Sequence, residues 1–380
     1  MKHKDVNHTL IWPAVREEPN RTHSIVGTTG TRQRESSEYA SSEKCPLNVC
    51  CSAYGFCGTT SDFCGNSTVA EPVCDGNSAT KKTIAYYEGW NLERSCDTMT
   101  PESIPIGGYT HLNFAFLYID PDLYTITPMA ADQEDLYSRV VALKKRKTDL
   151  EVWISIGGWA FNDPGSTVNI FSDLAASSSK QKTFFQSLLS FLGEYGFDGV
   201  DLDWEYPVAS DRGGSDADFE NYVTFLANLR TALDSAGKDG GWDAEDPWIG
   251  SIVNAHTNLT EIALAMDLLW RNDIEPSKVV MGLGFYGRSK AGPCTASAGI
   301  LSFTEIESIL KDSSRGANKY YDSEAAVQII TFDSNQWVSY DDWESFAVKM
   351  DYANSHCLGG LVGTHQNLYL YAVWVEANHH

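Results

Sequence analysis

The chain has 380 residues, of which 42% are apolar, so it is long enough for one large domain and one small one. Its formal net charge is −23, from 51 acidic and 28 basic residues, which argues against a nucleic acid or an anionic membrane as partner. No apolar stretch approaches the length of a transmembrane helix. These properties fit a secreted, soluble protein that acts on a neutral polymer.

The N-terminal segment, residues 1–44, is polar and has no apolar stretch of signal-peptide length. Its composition predicts disorder, and we interpret it as a disordered or non-native leader. The chain nevertheless has nine cysteines, which favours an oxidising compartment. We therefore expect an extracellular protein, on the ground of the cysteines and without a visible signal peptide.

Residues 45–64 are rich in cysteine and aromatic residues. A segment this short cannot bury a core, so crosslinks must stabilise it. The rings of Tyr54, Phe56 and Phe63 cannot all be buried, and beside Ser52 they would form a flat platform that stacks on sugar rings. The alternative is that these rings simply cover the disulfides.

A zinc knuckle is disfavoured because Cys50 and Cys51 are adjacent and no histidine is near. The order Cys-Cys-Ser, aromatic-Gly-aromatic-Cys-Gly and aromatic-Cys resembles a hevein-type chitin-binding module. This resemblance implies N-acetylglucosamine contacts by Ser52, Tyr54, Phe56 and Phe63. It also implies the disulfides Cys45–Cys57 and Cys50–Cys64. The first cysteine of the family is missing, so Cys51 is expected to be free or to pair with Cys74.

From residue 82 onward, predicted strands alternate with predicted helices. The predicted strands are 83–87, 109–117, 150–156, 198–205 and 278–283. The predicted helices are 136–147, 180–195, 216–235 and 259–270. Strict alternation predicts a parallel sheet, and this number of units predicts an α/β fold of the (β/α)8 barrel type.

Residues 198–205 place four carboxylates in eight positions. On a strand the acids at alternate positions point to one face, and the apolar residues between them point to the other. The acids of that face are Asp201, Asp203 and Glu205. Neighbouring carboxylates repel, so one should hold a proton near neutral pH, as general acid catalysis requires. The alternatives are an acidic surface strand and a calcium site, but Leu202 and Trp204 argue against a solvated calcium loop.

Five motifs in this order together resemble glycoside hydrolase family 18, the chitinases. They lie at residues 86–90, 114–116, 155–159, 198–207 and 284–288. The resemblance covers roughly residues 82–362, and with the hevein-like module in front the layout is similar to fungal chitinases of the killer-toxin-like group. It implies chitin and N-acetylglucosamine oligomers as partners, and a monomer. No metal or organic cofactor is expected, because the large domain has no clustered His/Cys ligand set and no phosphate loop.

The resemblance implies substrate-assisted retaining catalysis, in which the acetamido oxygen of the substrate is the nucleophile. Glu205 would protonate the glycosidic oxygen, Asp203 would hold the acetamido N–H, and Asp201 would share a proton with Asp203. Asp198 would support the strand. The residues implied to bind substrate are Tyr86, Phe116, Gly158, Trp159 and Tyr286. Each aromatic residue taken singly is more often a core residue, and the glycine pair at 157–158 is also compatible with a plain turn.

The middle of the large domain departs from the family. The interval from Glu205 to Val279 is shorter than the roughly 94 residues that three units of a ~250-residue barrel need. Residues 248–253 are the single strand candidate in it, so about one barrel unit is expected to be missing. The Met-x-Tyr-Asp segment of the sixth strand is absent, and the Trp expected near Gly363 is replaced.

The predicted domains are a leader at 1–44, an incomplete module at 45–74, a linker at 75–81, the barrel at 82–362 and a divergent tail at 363–380. A small α+β insertion is expected at about 295–345. Bridging of Cys96 and Cys294 is open, as is the pairing of Cys357. The departures leave three hypotheses: an active chitinase, a catalytically dead chitin-binding protein, and a truncated gene product.

Overall fold

The computed structural model describes residues 45, 48–52, 55–67, 69–95, 97–130, 133–237, 239–243, 257–288, 300–334 and 336–364. The N-terminal module has two short antiparallel strands and one helical turn. They are β1 (Cys50–Cys51), β2 (Cys57–Gly58) and α1 (Ser61–Cys64). Two disulfides, Cys45–Cys57 and Cys50–Cys64, link this segment internally, which is the pairing that the hevein resemblance implies.

The large domain is built on a parallel sheet with helices between the strands. Its strands are β3 (Thr83–Glu88), β4 (His111–Ile119), β6 (Glu151–Gly157), β7 (Gly199–Asp203), β8 (Asp239–Asp243), β9 (Val280–Gly284) and β15 (Gly360–Thr364), with β5 (Ile126–Pro128) antiparallel beside β4. Its helices are α2 (Glu134–Val141), α3 (Ile170–Ala175), α4 (Ser178–Tyr195), α5 (Asp218–Ala236), α6 (Leu259–Arg271) and α8 (Trp343–Ser355).

The strand order is β8-β7-β6-β4-β3-β15-β9, so the first and last parallel strands are neighbours, as in a barrel. The predicted α/β fold of barrel type is confirmed. Within the described residues β8 and β9 are the two edges of this sheet, and seven parallel strands are present. β8 was not predicted, and the strand candidate at 248–253 lies outside the described residues.

A second, antiparallel sheet follows β9 directly. It consists of β10 (Tyr286–Arg288), β11 (Ile300–Ser302), β12 (Asn318–Asp322), β13 (Val327–Phe332) and β14 (Gln336–Tyr340), with α7 (Phe303–Lys311) packed on it. Ser302 and Glu305 form a capping box that begins α7. This lobe is the α+β element expected from the sequence, although it begins at Tyr286, earlier than expected.

Local signals explain where the barrel helices begin and end. The Ser177 side chain accepts a hydrogen bond from the backbone of Lys180 at the start of α4, and Gly196 ends that helix in the left-handed conformation. Asp342 caps α8 in the same way. The amphipathic pattern then buries one face of each helix against the sheet. The main core, between the sheet and helices α2 to α5, includes Leu202 and Trp204.

The parallel strands define two rims. The N-terminal rim is where the strands begin, at residues such as Thr83, Val280 and Gly360, which are held level by the strand register. The C-terminal rim is where the strands end, at residues such as Glu88 and Asp203. Barrel enzymes place their active sites at the C-terminal rim.

A buried network around the Lys349–Asp341 ion pair joins α8 to Thr257, which lies just before α6. Lys349 contacts Asp341, and its Nζ donates to Thr257 Oγ1 at 2.9 Å. Asp341 also accepts hydrogen bonds from Thr257 and from Ser345 Oγ at 2.6 Å. Burial lowers the pKa of Lys349, and the charge of Asp341 opposes this shift. The network connects parts of the chain that are far apart in sequence.

Candidate active site

The acidic residues of β7 lie at the C-terminal rim. Asp201 is on the inner face of the sheet, where its Oδ2 accepts 2.7 Å hydrogen bonds from Tyr86 Oη of β3 and Ser155 Oγ of β6. Leu202 and Trp204 point the other way, and the Trp204 ring stacks on Phe171 of α3 at 5.4 Å. This is the alternation expected of a strand that is apolar behind and acidic in front.

Asp201 is buried, and burial raises the pKa of its carboxyl above the usual value. Hydrogen bonds from Ser155, Tyr86 and Asn113 act in the opposite direction, because they stabilise the ionised form. Asp203, two residues further along the same face, is less buried. The site therefore has one carboxyl whose pKa is raised by burial, beside a second that is nearer to solvent.

Glu205 lies just beyond the end of β7 and is 8% exposed. Its Oε2 accepts a 3.1 Å hydrogen bond from Tyr206 Oη. Its backbone carbonyl accepts a 3.0 Å hydrogen bond from Nε of Arg212. The carboxyl is thus shielded from water and the backbone that carries it is held from a second segment, so the acid is fixed in orientation.

Arg212 holds three segments of the site together, and the sequence analysis did not identify it. Its guanidinium donates to the carbonyl of Trp159 and, from Nη1, to Asp163 Oδ1 at 2.7 Å. It also lies 3.9 Å from the centroid of the Trp159 ring, which is a cation–π geometry. Arg212 is itself buried, so its charge is satisfied inside the loop cluster. No motif marks it, because these contacts arise only in the folded chain.

The glycine pair at the end of β6, Gly157 and Gly158, permits two close approaches. Gly157 has φ +116, and a Cβ there would collide with the carbonyl oxygen of Asp203. Gly158 donates a 2.9 Å hydrogen bond to that same oxygen. A Cβ at Gly158 would lie 2.7 Å from the Phe116 ring. The pair therefore lets the end of β6 pack against the acidic strand and lets the Phe116 ring pack directly on the backbone.

Aromatic rings flank the acids at the C-terminal rim. Phe116 stacks on Trp90 with ring centroids 6.1 Å apart, and Trp159 meets the edge of the Tyr206 ring at 6.3 Å. Tyr86 and Trp159 are both partly exposed. Tyr286 is buried at the start of the antiparallel lobe. The described cluster therefore unites the acids with most of the predicted aromatic residues.

Asp198 lies away from this cluster, just before β7 begins. Its Oδ1 contacts Lys144 Nζ at 2.5 Å, and its Oδ2 accepts a 2.9 Å hydrogen bond from the backbone of Val152. It therefore anchors the N-terminal end of the acidic strand to β6. Ser155 and Asn113, which contact or influence Asp201, were not predicted as site residues, although Ser155 opens the motif at 155–159.

The module carries a second group of predicted residues. Ser52 Oγ accepts a 3.1 Å hydrogen bond from the backbone of Phe56, a residue that is 45% exposed. The Phe63 ring packs on Gly58, where no Cβ would fit. Tyr54 lies outside the described residues. Phe56 thus presents exposed surface, while the Phe63 ring packs inside the module.

Cys51 has a free thiol, and Cys74 pairs with Cys357 across 283 residues rather than with Cys51. Cys96 and Cys294 lie outside the described residues. Among the described residues no group of three or more His, Cys, Asp or Glu side chains could hold a metal ion. In that same part of the chain, none of the helices is both long and apolar enough to cross a membrane.

Comparison with protein families gives two matches. The model of glycosyl hydrolases family 18 matches residues 82–245 and 240–363. The model of the chitin recognition protein matches residues 35–74. A secreted chitinase of Penicillium expansum is 27% identical over 87% of this chain and 27% of its own length. The killer toxin subunits alpha/beta of Kluyveromyces lactis are 30% identical over 78% of this chain and 31% of their own length.

The chain thus spans less than a third of the length of these curated relatives. Among solved structures, the Group IV chitinase of Ostrinia furnacalis superposes with a TM-score of 0.66 at 23% identity, covering 75% of this chain and 93% of that chain. A class V chitinase of Nicotiana tobaccum gives a TM-score of 0.64 at 19% identity. At these identities the structural comparison shows the fold.

Proposed function

The chain belongs to glycoside hydrolase family 18, and from this premise we propose that it hydrolyses the β-1,4 linkages between the N-acetylglucosamine units of chitin. The observation that carries the proposal is the acidic end of β7, where Asp201 lies on the inner face of the sheet and Asp203 and Glu205 follow it at alternate positions. Chitin is a neutral polymer, which an acidic protein of net charge −23 does not repel. The names of the relatives, several of them chitinases, support the same substrate.

Glu205 is the proposed general acid. Its carboxyl would give a proton to the glycosidic oxygen while the bond from that oxygen to C1 breaks. The Tyr206 hydroxyl, which donates to Glu205 Oε2, would stabilise the carboxylate that remains. In the second half of the reaction Glu205 would take a proton from the attacking water.

The proposed nucleophile is the acetamido oxygen of the substrate, which attacks C1 from the opposite face. Asp203 would accept the acetamido N–H and so orient the group. Asp201, whose pKa is raised by burial, would share one proton with Asp203, leaving a single negative charge on the pair. The hydroxyls of Tyr86 and Ser155 support Asp201 in either state.

The decisive experiment is hydrolysis of soluble N-acetylglucosamine oligomers by the full chain and by Glu205→Gln. Loss of general acid catalysis should lower kcat by about 10²- to 10⁴-fold. Glu194→Gln, on the exposed face of α4, is the matched control and should leave the rate unchanged. A folded parent chain without activity, or a Glu205→Gln variant with the parental rate, would overturn the proposal.

A second candidate function is chitin binding without hydrolysis. It is favoured by the absent Met-x-Tyr-Asp segment and by the open sheet between β8 and β9 within the described residues. It predicts oligomer binding with equal affinity by the parent and by Glu205→Gln, and turnover by neither.

We further propose an extracellular, monomeric protein with the domain division given by the sequence. The three disulfides found in the described part of the chain favour an oxidising compartment. In this division the module at 45–74 would bind chitin through Ser52, Tyr54, Phe56 and Phe63. The barrel at 82–362, with its lobe, would act on the substrate.

A further inference from the structure

The module contacts the barrel through several polar interactions. Asn48 Nδ2 donates to the carbonyl of Arg271 at 3.1 Å, and Arg271 Nη1 lies 3.3 Å from Cys50 Sγ. Arg271 ends α6 and is itself held by Asp267 of the same helix at 2.6 Å. These contacts involve the internally crosslinked part of the module, so the module is docked on the barrel.

The C-terminal part of the module is attached more firmly. Cys74 forms a disulfide with Cys357, and its backbone N–H donates to the carbonyl of Ser355 at 2.8 Å. Val69 packs against the apolar cluster between α6, α8 and the sheet. His356 lies 3.4 Å from Glu71. The module is therefore held by a covalent bond and by polar and apolar contacts along its C-terminal part.

All of these contacts lie at the N-terminal rim. Arg271 is the last residue of α6, and Ser355 the last of α8, and each helix returns the chain to the beginning of the next parallel strand. Cys357 precedes β15 by three residues. The acids of β7 lie at the other rim, a strand length of roughly 15 Å or more away.

We propose that the chitin-contact surface of the module, formed by Ser52 and Phe56, is held behind the barrel, so that the module grips one polymer chain while the cleft binds a different one. The proposal rests on the proposed function. It follows from the docking, because a module attached to the N-terminal rim by the Cys74–Cys357 disulfide and by the contacts of Arg271 does not deliver its own bound chain over the sheet to Glu205. The protein then has two chitin sites at opposite rims of the barrel, and it can bridge neighbouring chains in a solid.

The test is bridging of chitin nanofibres in suspension by the full chain carrying Glu205→Gln, followed by turbidity. A two-sided protein should flocculate the fibres at intermediate concentration and disperse them again at excess. Adding Phe56→Ala should raise the protein concentration needed by about fivefold or more, the effect of losing roughly 1 kcal/mol of binding. Adding Val73→Ala instead, a matched loss of exposed apolar surface, should change nothing.

Saturable binding to the fibres without flocculation would overturn the proposal, because it would mean that both sites engage one chain or one surface. Equal flocculation by the Phe56→Ala variant would overturn it as well, since the module would not be the second site. Failure of the proposed function is seen separately, as absence of oligomer hydrolysis by the parent chain.

Discussion

Replacement of Gly157 by alanine tests whether the approach of β6 to the acidic strand is a steric requirement. The new Cβ would overlap the carbonyl oxygen of Asp203 and lie 2.9 Å from the Phe171 ring. The carbonyl belongs to the backbone and cannot rotate away. The φ of +116 adds strain, because side chains other than glycine rarely adopt it.

The two effects can be estimated. Overpacking of a filled site costs about 1–3 kcal/mol, and a residue forced into a sparsely populated backbone region costs about 1–3 kcal/mol more. The free energy of unfolding should therefore fall by about 2–6 kcal/mol. Any folded protein should also lose hydrolytic activity, because relief of the clash moves Asp203 along with its carbonyl.

The assay is urea unfolding followed by tryptophan fluorescence, with oligomer hydrolysis measured on the folded variant. The matched control is Gly193→Ala in α4, where a Cβ meets nothing within 4 Å. There alanine should stabilise the chain by about 0.5–1 kcal/mol, the opposite sign. If Gly157→Ala loses less than about 1 kcal/mol, the steric reasoning is wrong.

Two further predictions concern the buried ionisable residues Asp201 and Lys349. Asp201→Asn keeps an oxygen that can accept both hydroxyls, but it cannot ionise. Burial raises the pKa of Asp201 in the folded state. The parent protein therefore loses stability as the pH rises from the unfolded-state pKa of this carboxyl through its folded-state pKa, whereas the variant does not. The Tm of the variant minus that of the parent should be higher at pH 7 than at pH 4, and a difference that does not change with pH would contradict this. Lys349→Met should destabilise the chain by about 3–5 kcal/mol in urea unfolding, because it leaves the fully buried Asp341 without its cation. The double variant with Asp341→Leu should recover part of this loss, and no recovery would argue against the ion pair as its cause.

Much of the architecture was predictable because its signals are local. The alternation of acids with Leu202 and Trp204 predicts a strand with one polar face, and the structure has that strand at Gly199–Asp203. Cap residues such as Ser177 mark where helices begin. By contrast, β8 carries Gly240 and Gly241, which have little strand propensity, so its pairing with β7 depends on the existing edge of the sheet.

The contacts that could not be predicted are those made across long sequence separations. Arg212 contacts Trp159 and Asp163 only when the loop that follows β6 and the loop that follows β7 pack together in the folded chain. The Cys74–Cys357 disulfide joins residues 283 positions apart, and spacing alone does not determine such pairings. A resemblance to known motifs identifies the acids but says nothing about these supporting contacts.

The Cys74–Cys357 disulfide also determines whether a single proteolytic cut can release a fragment of the barrel. Since six of the seven described parallel strands, β3 to β9, lie between the two cysteines and β15 follows Cys357 directly, the bond closes most of the barrel into one covalent ring. A single cut inside that ring opens a loop but releases no fragment, because both new ends remain attached through the bond. The nicked barrel therefore retains every strand at high local concentration, and it can re-form without a bimolecular encounter.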